Sequence, residues 1–485
     1  MAEPQKHLDP LSALDAAFLF QERPNAQMHI GGVAIFQGPP PDWEEFLEHV
    51  RVRLDRVPRY RQKLAEPPFG LGRRRWIDDP SFNLEYHVLH KALPSPGNES
   101  ALRRLVARIY SQRLDRAKPL WELLLIEGLE DDRFAILTKT HHSVVDGISG
   151  MDITAALFDV TATTPAPSGG SRSWVAQPEP SQAELAAMSV NGTLRDLGEL
   201  PLRAAGALGD RLRLRRAVQG VGETAMTVLR PAPPSPLNVE IGPHRRVAFV
   251  RTQLEDFKRV KNVFGGTVND VVLAVAAGAI RQWMHARGLK TEGVELRAGV
   301  PVSTRVSEEH GDLGNRLTQL IAPLPVGIPD PVIRLRTIQD AMTGLKETRQ
   351  ALGAEIIAGA QDFAPPTILA QSTRLSFSTR AYNVLLTNIP GPQLPLYLLG
   401  RQLDEIYPLA FLAGDRAAAI AVTSYNGIAG FGLIGDYDEL GDIDMLAEGF
   451  TTSLAEYVRL ADRRARRGRT SRRAPKKQAL AKKGR

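Results

Sequence analysis

Residues 119–147 read PLWELLLIEGLEDDRFAILTKTHHSVVDG, and this stretch decides the fold. Residues 119–129 form a short, nearly continuous apolar run, which is typical of a strand buried on both faces. The Asp-Asp pair at 131–132 predicts a turn, and 133–142 then reads as an antiparallel partner strand. The stretch therefore predicts a core β-hairpin that carries two adjacent histidines where its second strand ends.

Outside the hairpin, the patterns predict alternating helices and strands. Apolar residues at helical spacing predict helices over 42–64, 99–114 and 268–288, and alternation predicts a strand over 82–88. The second half of the chain adds predicted strands at 247–252, 296–303, 316–326, 382–391 and 416–436, and predicted helices at 331–351 and 441–466. The sequence therefore predicts an α/β protein.

A Pro-, Ser- and Gly-rich stretch divides the chain into two predicted lobes. We expect a first lobe over 1–160, a linker with connecting helices over 161–240 and a second lobe over 241–458. Junctions between lobes favour ligand sites, so we look for function there.

Composition sets limits on the chemistry. With 43% hydrophobic and 24% charged residues, the 485-residue chain resembles a soluble globular protein. It has no cysteine, which excludes disulfides, thiolate metal sites and a cysteine nucleophile. The first 20 residues lack a secretory signal pattern, and the apolar run 271–280 is shorter than the about 20 residues that span a bilayer. We expect a cytoplasmic protein, with peripheral attachment to the inner face of the cell membrane.

The charge is concentrated at the carboxyl end. Residues 459–485 contain 13 Lys or Arg and one Asp, so the rest of the chain is mildly acidic despite the overall +7. We expect this tail to be disordered. A solubilising end, anionic lipids and nucleic acid are the three candidate explanations. No aromatic residues interleave the charges and the body contains no nucleic-acid-binding module, so we favour a membrane or lipid-droplet surface over nucleic acid and expect no nucleic acid, while a solubilising end stays open.

The paired histidines suit proton transfer better than metal binding. Side chains alternate along a strand, so His141 and His142 would point opposite ways if the strand persists. No HExxH motif and no GxSxG nucleophile motif occurs. Asp146 and Gly147 allow a turn back towards one ring, and a neutral imidazole can take a proton from an alcohol. A histidine pair that only caps the strand is the alternative.

THHSVVDG at 140–147 resembles the HHxxxDG signature of CoA-dependent acyltransferases, which include chloramphenicol acetyltransferases and condensation domains. Further motifs, in order from about residue 8 to 460, resemble the bacterial wax ester synthase/diacylglycerol acyltransferase family. They are PLSALDAAFLFQE (10–22), MHIGG (28–32), PRYRQKL (58–64), KPLWE (118–122), TVNDVVLA (267–274), VPVSTR (300–305), GNR (314–316) and NVLLTNIPGP (383–392).

The resemblance implies two chloramphenicol-acetyltransferase-like lobes, with mixed sheets flanked by helices and an active-site tunnel between the lobes. It implies acyl-CoA as co-substrate, no bound cofactor or metal, and a diacylglycerol or long-chain alcohol as acceptor. Transfer of the acyl group would give triacylglycerol or wax ester without a covalent acyl-enzyme. A different hydroxyl or amine acceptor on the same fold, and a catalytically weak lipid-binding homologue, are the alternatives.

The resemblance also assigns roles to individual residues. His142 would be the general base, and strand alternation then makes His141 face the core, where it would brace the loop. Asp146 and Gly147 would hold the motif turn. From the second lobe, Asn269 and Asp270 would help shape the site, with Asn269 a candidate donor to the oxyanion. The PLW motif is interpreted as packing under the active-site strand.

Overall fold

Two six-stranded mixed sheets form the framework of the protein. A computed structural model describes residues 7–68, 73–145, 153–163, 174–188, 190–191, 231–303, 317–345 and 381–473. The predicted linker at 161–240 lies largely outside these ranges.

The first sheet contains the predicted hairpin. In spatial order its strands are Tyr397–Leu398 (β11), Arg401–Leu409 (β12), His29–Gln37 (β1), Arg133–His141 (β6), Trp121–Leu129 (β5) and Val88–Ala92 (β4). All neighbours are antiparallel except β4 and β5. The hairpin prediction is confirmed, because β5 and β6 pair antiparallel and Asp131 and Asp132 take positive φ at its turn.

The second sheet is built around a parallel centre. Its strands, in order, are Arg245–Gln253 (β7), Ile428–Asp436 (β14), Ala418–Tyr425 (β13), Val384–Pro390 (β10), Leu296–Ser303 (β8) and Leu317–Leu324 (β9). Strand β10 is parallel to both β13 and β8, and the other pairs are antiparallel. A separate two-stranded ribbon pairs Gln62–Ala65 (β2) with Arg75–Asp78 (β3).

Helices cover the sheets. They are Ala13–Gln21 (α1), Trp43–Arg53 (α2), Glu99–Tyr110 (α3), Ile153–Leu157 (α4), 182–188 (α5), Leu254–Phe264 (α6), Val268–Ala286 (α7), 331–345 (α8) and Ile443–Arg473 (α9). Helix α7 is almost entirely buried, in an apolar core with β8, β10, β13 and α9. Among the described residues, no single helix is long and apolar enough to cross a membrane, although the bent pair α6 and α7 meets that test jointly by length and composition.

Two local predictions are wrong. The helix predicted over 42–64 ends at Arg53 and is followed only by a 3₁₀ turn at Leu54–Arg56. Pro58 has no N–H to donate to the carbonyl of Leu54, and it holds Val57 out of helical conformation. The strand predicted over 82–88 begins only at Val88. Before it, the side chain of Asn83 caps a 3₁₀ turn at Leu84–Tyr86, so the alternating apolar residues do not share one strand face.

The second half of the chain contributes strands to the first sheet. Strand β12 pairs with β1, and β11 extends that edge. The predicted division of the chain into lobes at 1–160 and 241–458 did not anticipate that residues of the second range form strands of the first sheet. Strand β12 also passes close to β14, where a Cβ atom added at Gly432 would lie 1.8 Å from the carbonyl oxygen of Pro408. The glycines of β14 thus permit close packing between the lobes.

The carboxyl-terminal helix extends into the predicted tail. Helix α9 continues to Arg473, so the expectation of disorder is wrong for 459–473. The helix persists there because Tyr457 and Ala461 are buried, and Asp462 forms an ion pair with Arg259 of α6 at 3.5 Å. Residues 474–485 lie outside the described residues.

We predict that Gly432→Ala destabilises the protein. The new methyl group would meet the backbone of β12, and such overpacking costs about 1–3 kcal/mol. Gly344→Ala is the matched control, since Gly344 has no neighbouring atom within 4 Å of an added Cβ. Denaturant unfolding measures both changes. An unchanged unfolding midpoint in Gly432→Ala would contradict the close crossing of β12 and β14.

Candidate active site

The histidine pair lies where β6 ends, and both flanking strands hold its backbone. The N–H of His141 donates to the carbonyl of Leu120 at 2.9 Å, and the N–H of His142 donates to the carbonyl of Met28 at 2.8 Å. Leu120 directly precedes β5, and Met28 directly precedes β1. The pair is therefore fixed on both sides of the central strand.

The PLW residues support this arrangement through packing. Leu120 and Trp121 are buried, and the indole N–H of Trp121 donates to the carbonyl of Tyr60 at 2.7 Å. The ring of His87 stacks on Trp121 with centroids 4.8 Å apart. These contacts agree with the interpretation of the PLW motif as packing beneath the strand that carries the histidines.

His141 braces the turn that follows the strand. Its buried Nδ1 accepts the backbone N–H of Ser143 at 3.1 Å and lies 2.7 Å from the Ser143 hydroxyl oxygen. Its Nε2 is also buried and has no hydrogen-bond partner among the described residues. Burial lowers the pKa of His141 to about 3, and nearby His142 and Arg116 act in the same direction. His141 is therefore neutral at physiological pH.

His142 is half-buried between two phenylalanines. Its ring stacks on Phe18 with centroids 3.9 Å apart and an interplanar angle of 18°. It meets Phe411 edge-on at 5.7 Å. Burial lowers the pKa of His142 to about 4, and the residue's own backbone carbonyl partly opposes that shift. The imidazole is therefore neutral near pH 7 and able to accept a proton.

The surroundings of His142 come from both halves of the chain. Phe18 lies on α1, whereas Phe411 follows β12. Both belong to one buried apolar cluster that also contains Phe249 of β7 and Leu385 of β10. His142 therefore lies at the apolar junction between the two sheets.

A buried polar cluster adjoins His141. The Glu22 carboxylate accepts hydrogen bonds from the Arg116 guanidinium, with the Nε contact at 2.9 Å, and lies 3.8 Å from Nε2 of His29. His29 is the register partner of His141 in the β1–β6 ladder. Burial, together with Lys139, holds the pKa of His29 well below its ordinary value. Two neutral imidazoles thus make a T-shaped contact beside the turn, with centroids 6.3 Å apart and an interplanar angle of 73°.

The Asn-Asp pair lies at the start of α7, and its members have different contacts. Asp270 accepts the backbone N–H of Thr267 at 2.7 Å, while Thr267 Oγ1 accepts that of Asp270, so together they form a capping box. Asn269 Oδ1 accepts a hydrogen bond from the Asn388 side chain at 3.3 Å. No hydrogen bond among the described residues joins either side chain to the histidine pair.

Sequence reasoning missed Phe18, Phe411 and Asn388 as site residues. Phe18 and Asn388 lie inside motifs that carried the family resemblance. Phe411 lies in no such motif, and it reaches the site only because β12 joins the first sheet. Asp146 and Gly147 lie outside the described residues, so their predicted roles stay predictions. Within the described ranges, no three His, Asp or Glu side chains form a group that could hold a metal ion.

Family models and individual relatives both place the sequence in the same protein family. Residues 11–272 match the wax ester synthase/diacylglycerol acyltransferase catalytic domain, and 313–458 match the C-terminal domain of that family. A probable diacylglycerol O-acyltransferase of Mycobacterium tuberculosis is 35% identical over 472 residues, covering 94% of this chain and 97% of that protein. A second one from the same organism is 33% identical over 456 residues, covering 93% and 98%.

Solved structures agree. The wax ester synthase/diacylglycerol acyltransferase of Marinobacter aquaeolei superposes with a TM-score of 0.68 at 27% identity, covering 94% of this chain and 100% of that one. The first condensation domain of the calcium-dependent antibiotic synthetase shares the two-lobed fold alone, with a TM-score of 0.57 at 16% identity, covering 94% and 97%. The chain therefore belongs to the wax ester synthase/diacylglycerol acyltransferase family and is an acyltransferase of that type.

Proposed function

We propose that the protein transfers a long-chain acyl group from acyl-CoA to the free hydroxyl of a diacylglycerol, with His142 as the general base. The observation that carries this proposal is the neutral, half-buried imidazole of His142 at the apolar junction of the lobes. The relatives named as diacylglycerol O-acyltransferases support the choice of acceptor. In this proposal acyl-CoA and the acceptor reach His142 from opposite sides of a tunnel between the lobes.

The transfer needs one proton acceptor. Nδ1 of His142 is buried, which leaves Nε2 to take the hydroxyl proton. As that proton leaves, the acceptor oxygen attacks the thioester carbonyl carbon and an oxyanion forms. Collapse of this intermediate breaks the carbon–sulfur bond, and the imidazolium protonates the CoA thiolate. The products are an ester and free CoA, and no acyl-enzyme forms.

The oxyanion needs a hydrogen-bond donor, and Asn269 is our candidate. Its Oδ1 accepts from Asn388, so its amide N–H groups are the part left to donate. Asp270 contributes indirectly by capping the helix that carries Asn269. We further propose that His141, Asp146 and Gly147 keep the motif turn rigid.

Wax ester synthesis is the second candidate activity. The same proton transfer would serve a long-chain alcohol, and the Marinobacter relative bears both activities in its name. Purified protein, palmitoyl-CoA and a panel of diacylglycerols, long-chain alcohols and amines, with products identified by mass spectrometry, would separate the two.

We also propose that the protein is cytoplasmic and that its basic carboxyl end attaches it to anionic lipid. Arg463, Arg466 and Arg467 are exposed on α9. Basic residues near an anionic membrane contribute about 1 kcal/mol each. This end of the chain lies beyond the apolar packing of α9 that Tyr457 and Ala461 provide.

His142→Ala should lower turnover about 10²–10⁴-fold, because the reaction loses its base. Release of free CoA from palmitoyl-CoA in the presence of diacylglycerol measures the effect, and circular dichroism checks the fold. His90→Ala, a partly exposed histidine that pairs with Glu127, is the matched control and should keep full turnover. Full turnover in folded His142→Ala would rule out the general-base role.

The acidic limb of kcat/KM should lie well below 6.5, near pH 4, because the base in the free enzyme titrates with the lowered pKa of His142. Stability changes over a wider window, from about pH 6.5 down to the lowered pKa values of about 4 for His142 and about 3 for His141. The unfolded chain binds protons on His141 and His142 below about pH 6.5, whereas the folded chain does not, so the free energy of unfolding falls as pH drops from there. Near-ultraviolet circular dichroism separates unfolding from titration. An acidic limb at about 6.5 in folded protein would contradict a desolvated base.

Deleting 463–485 should weaken binding to vesicles that contain phosphatidylglycerol, because it removes twelve basic residues, including Arg463, Arg466 and Arg467 of α9. Vesicles of phosphatidylcholine alone are the control. Flotation measures binding, and CoA release with soluble substrate checks that the truncated enzyme is active. Equal flotation of both proteins with anionic vesicles would refute the attachment.

A further inference from the structure

Three aromatic rings meet at the active site. Phe18 stacks on one face of the His142 ring, Phe411 makes a T-shaped contact with that ring, and the two phenylalanine rings contact each other at 6.0 Å and 73°. Phe18 is 2% exposed and Phe411 is 9% exposed. Two walls of the imidazole are therefore apolar side chains rather than water.

Phe18 is itself held in place by the ends of α1. At the first end, the Ser12 side chain accepts the backbone N–H of Asp15 at 3.1 Å. At the other end, Arg116 donates to the carbonyl of Leu19 at 3.0 Å and binds the buried carboxylate of Glu22. Since α1 has only nine residues, these anchors fix the turn that carries Phe18.

We propose that Phe18 is a positioning residue for acyl transfer: it holds the His142 imidazole in one plane and keeps water from that face. The inference rests on the proposed function, in which His142 is the base. A ring fixed in this way meets the acceptor hydroxyl only from the directions that the phenylalanines do not cover. Phe411 forms the second wall and limits tilting of the ring.

The physical gain lies in orientation. The acceptor oxygen must lie within hydrogen-bond distance of the base and near the thioester carbon at the same time. A ring that rotates or tilts freely would rarely point its nitrogen at the acceptor hydroxyl. Misplacement of about 1 Å can cost up to about 10²-fold in rate, so a stacked partner that removes this freedom acts on kcat more than on KM.

Phe18→Leu tests the proposal, with Phe36→Leu as the matched control. Phe36 is also buried and stacks on Phe134 at 5.1 Å and 12°, but it does not contact His142. Both variants lose one stacked ring and should lose comparable stability. Phe18→Tyr keeps the ring face and should retain turnover.

The first readout does not depend on catalysis. Diethyl pyrocarbonate acylates accessible neutral histidines, and peptide mass spectrometry reports the rate at His142 alone. We expect a rate several times higher in Phe18→Leu and the wild-type rate in Phe36→Leu. An unchanged rate at His142 in Phe18→Leu would overturn the proposal, whatever the enzyme's activity.

The second readout is kinetic. Phe18→Leu should lower kcat by about tenfold to a hundredfold with little change in KM, and should move the acidic limb of kcat/KM upward as water reaches the ring. Phe36→Leu should change only the melting temperature. Faster acylation of His142 with unaltered kcat and acidic limb would overturn the positioning role. Full activity of His142→Ala would instead remove the proposed function, and the acylation rate would still decide whether Phe18 shields the ring.

Discussion

The pairing of β6 between β1 and β5 is the constraint on which the site depends. The backbone N–H of His141 donates to the carbonyl of Leu120, which directly precedes β5. The backbone N–H of His142 donates to the carbonyl of Met28, which directly precedes β1. A strand in the middle of a sheet cannot shift register without breaking both ladders. The two imidazoles therefore leave the sheet at a fixed point and in a fixed order.

From that point, desolvation determines the chemistry. The imidazole of His142 stacks on Phe18 and contacts Phe411, so its protonated form would be poorly solvated. Its pKa therefore falls to about 4. Such a base is neutral throughout the physiological range, but it is weaker than a solvated histidine. Close positioning of the substrates must offset that weakness. The close passage of β12 over β14, which requires Gly432, brings Phe411 to the ring and thereby connects the fold of the second half to the base.

Local patterns predicted those parts of the structure that local interactions determine. The hairpin of residues 119–142 was predicted because its apolar run, turn and partner strand are contiguous, and the family motifs identified the two-lobed fold. The same reasoning failed at 42–64, where Pro58 ends the helix early, and at 82–88, where the cap formed by Asn83 overrides the alternation. The pairing of β12 with β1 joins residues that are far apart in the sequence. No pattern within the residues of β12 predicts this partner.

The candidate site shows the same limits. The histidine pair could be found from its motif, but Phe411 could not, because only β12 brings it to His142. Asp270 illustrates the opposite case, since Thr267 and Asp270 carry the spacing of a capping box that could have been read from the sequence.

Shielding by Phe18 and Phe411 keeps the His142 ring neutral, and the rest of the proposed chemistry depends on that charge state. Nuclear magnetic resonance titration of histidine-labelled protein measures this charge state, with the His142 signal assigned by its loss in His142→Gln. We expect no titration of that signal between about pH 5 and pH 8, where a solvated histidine changes charge. A His142 signal that titrates near 6.5 in the folded protein would contradict it.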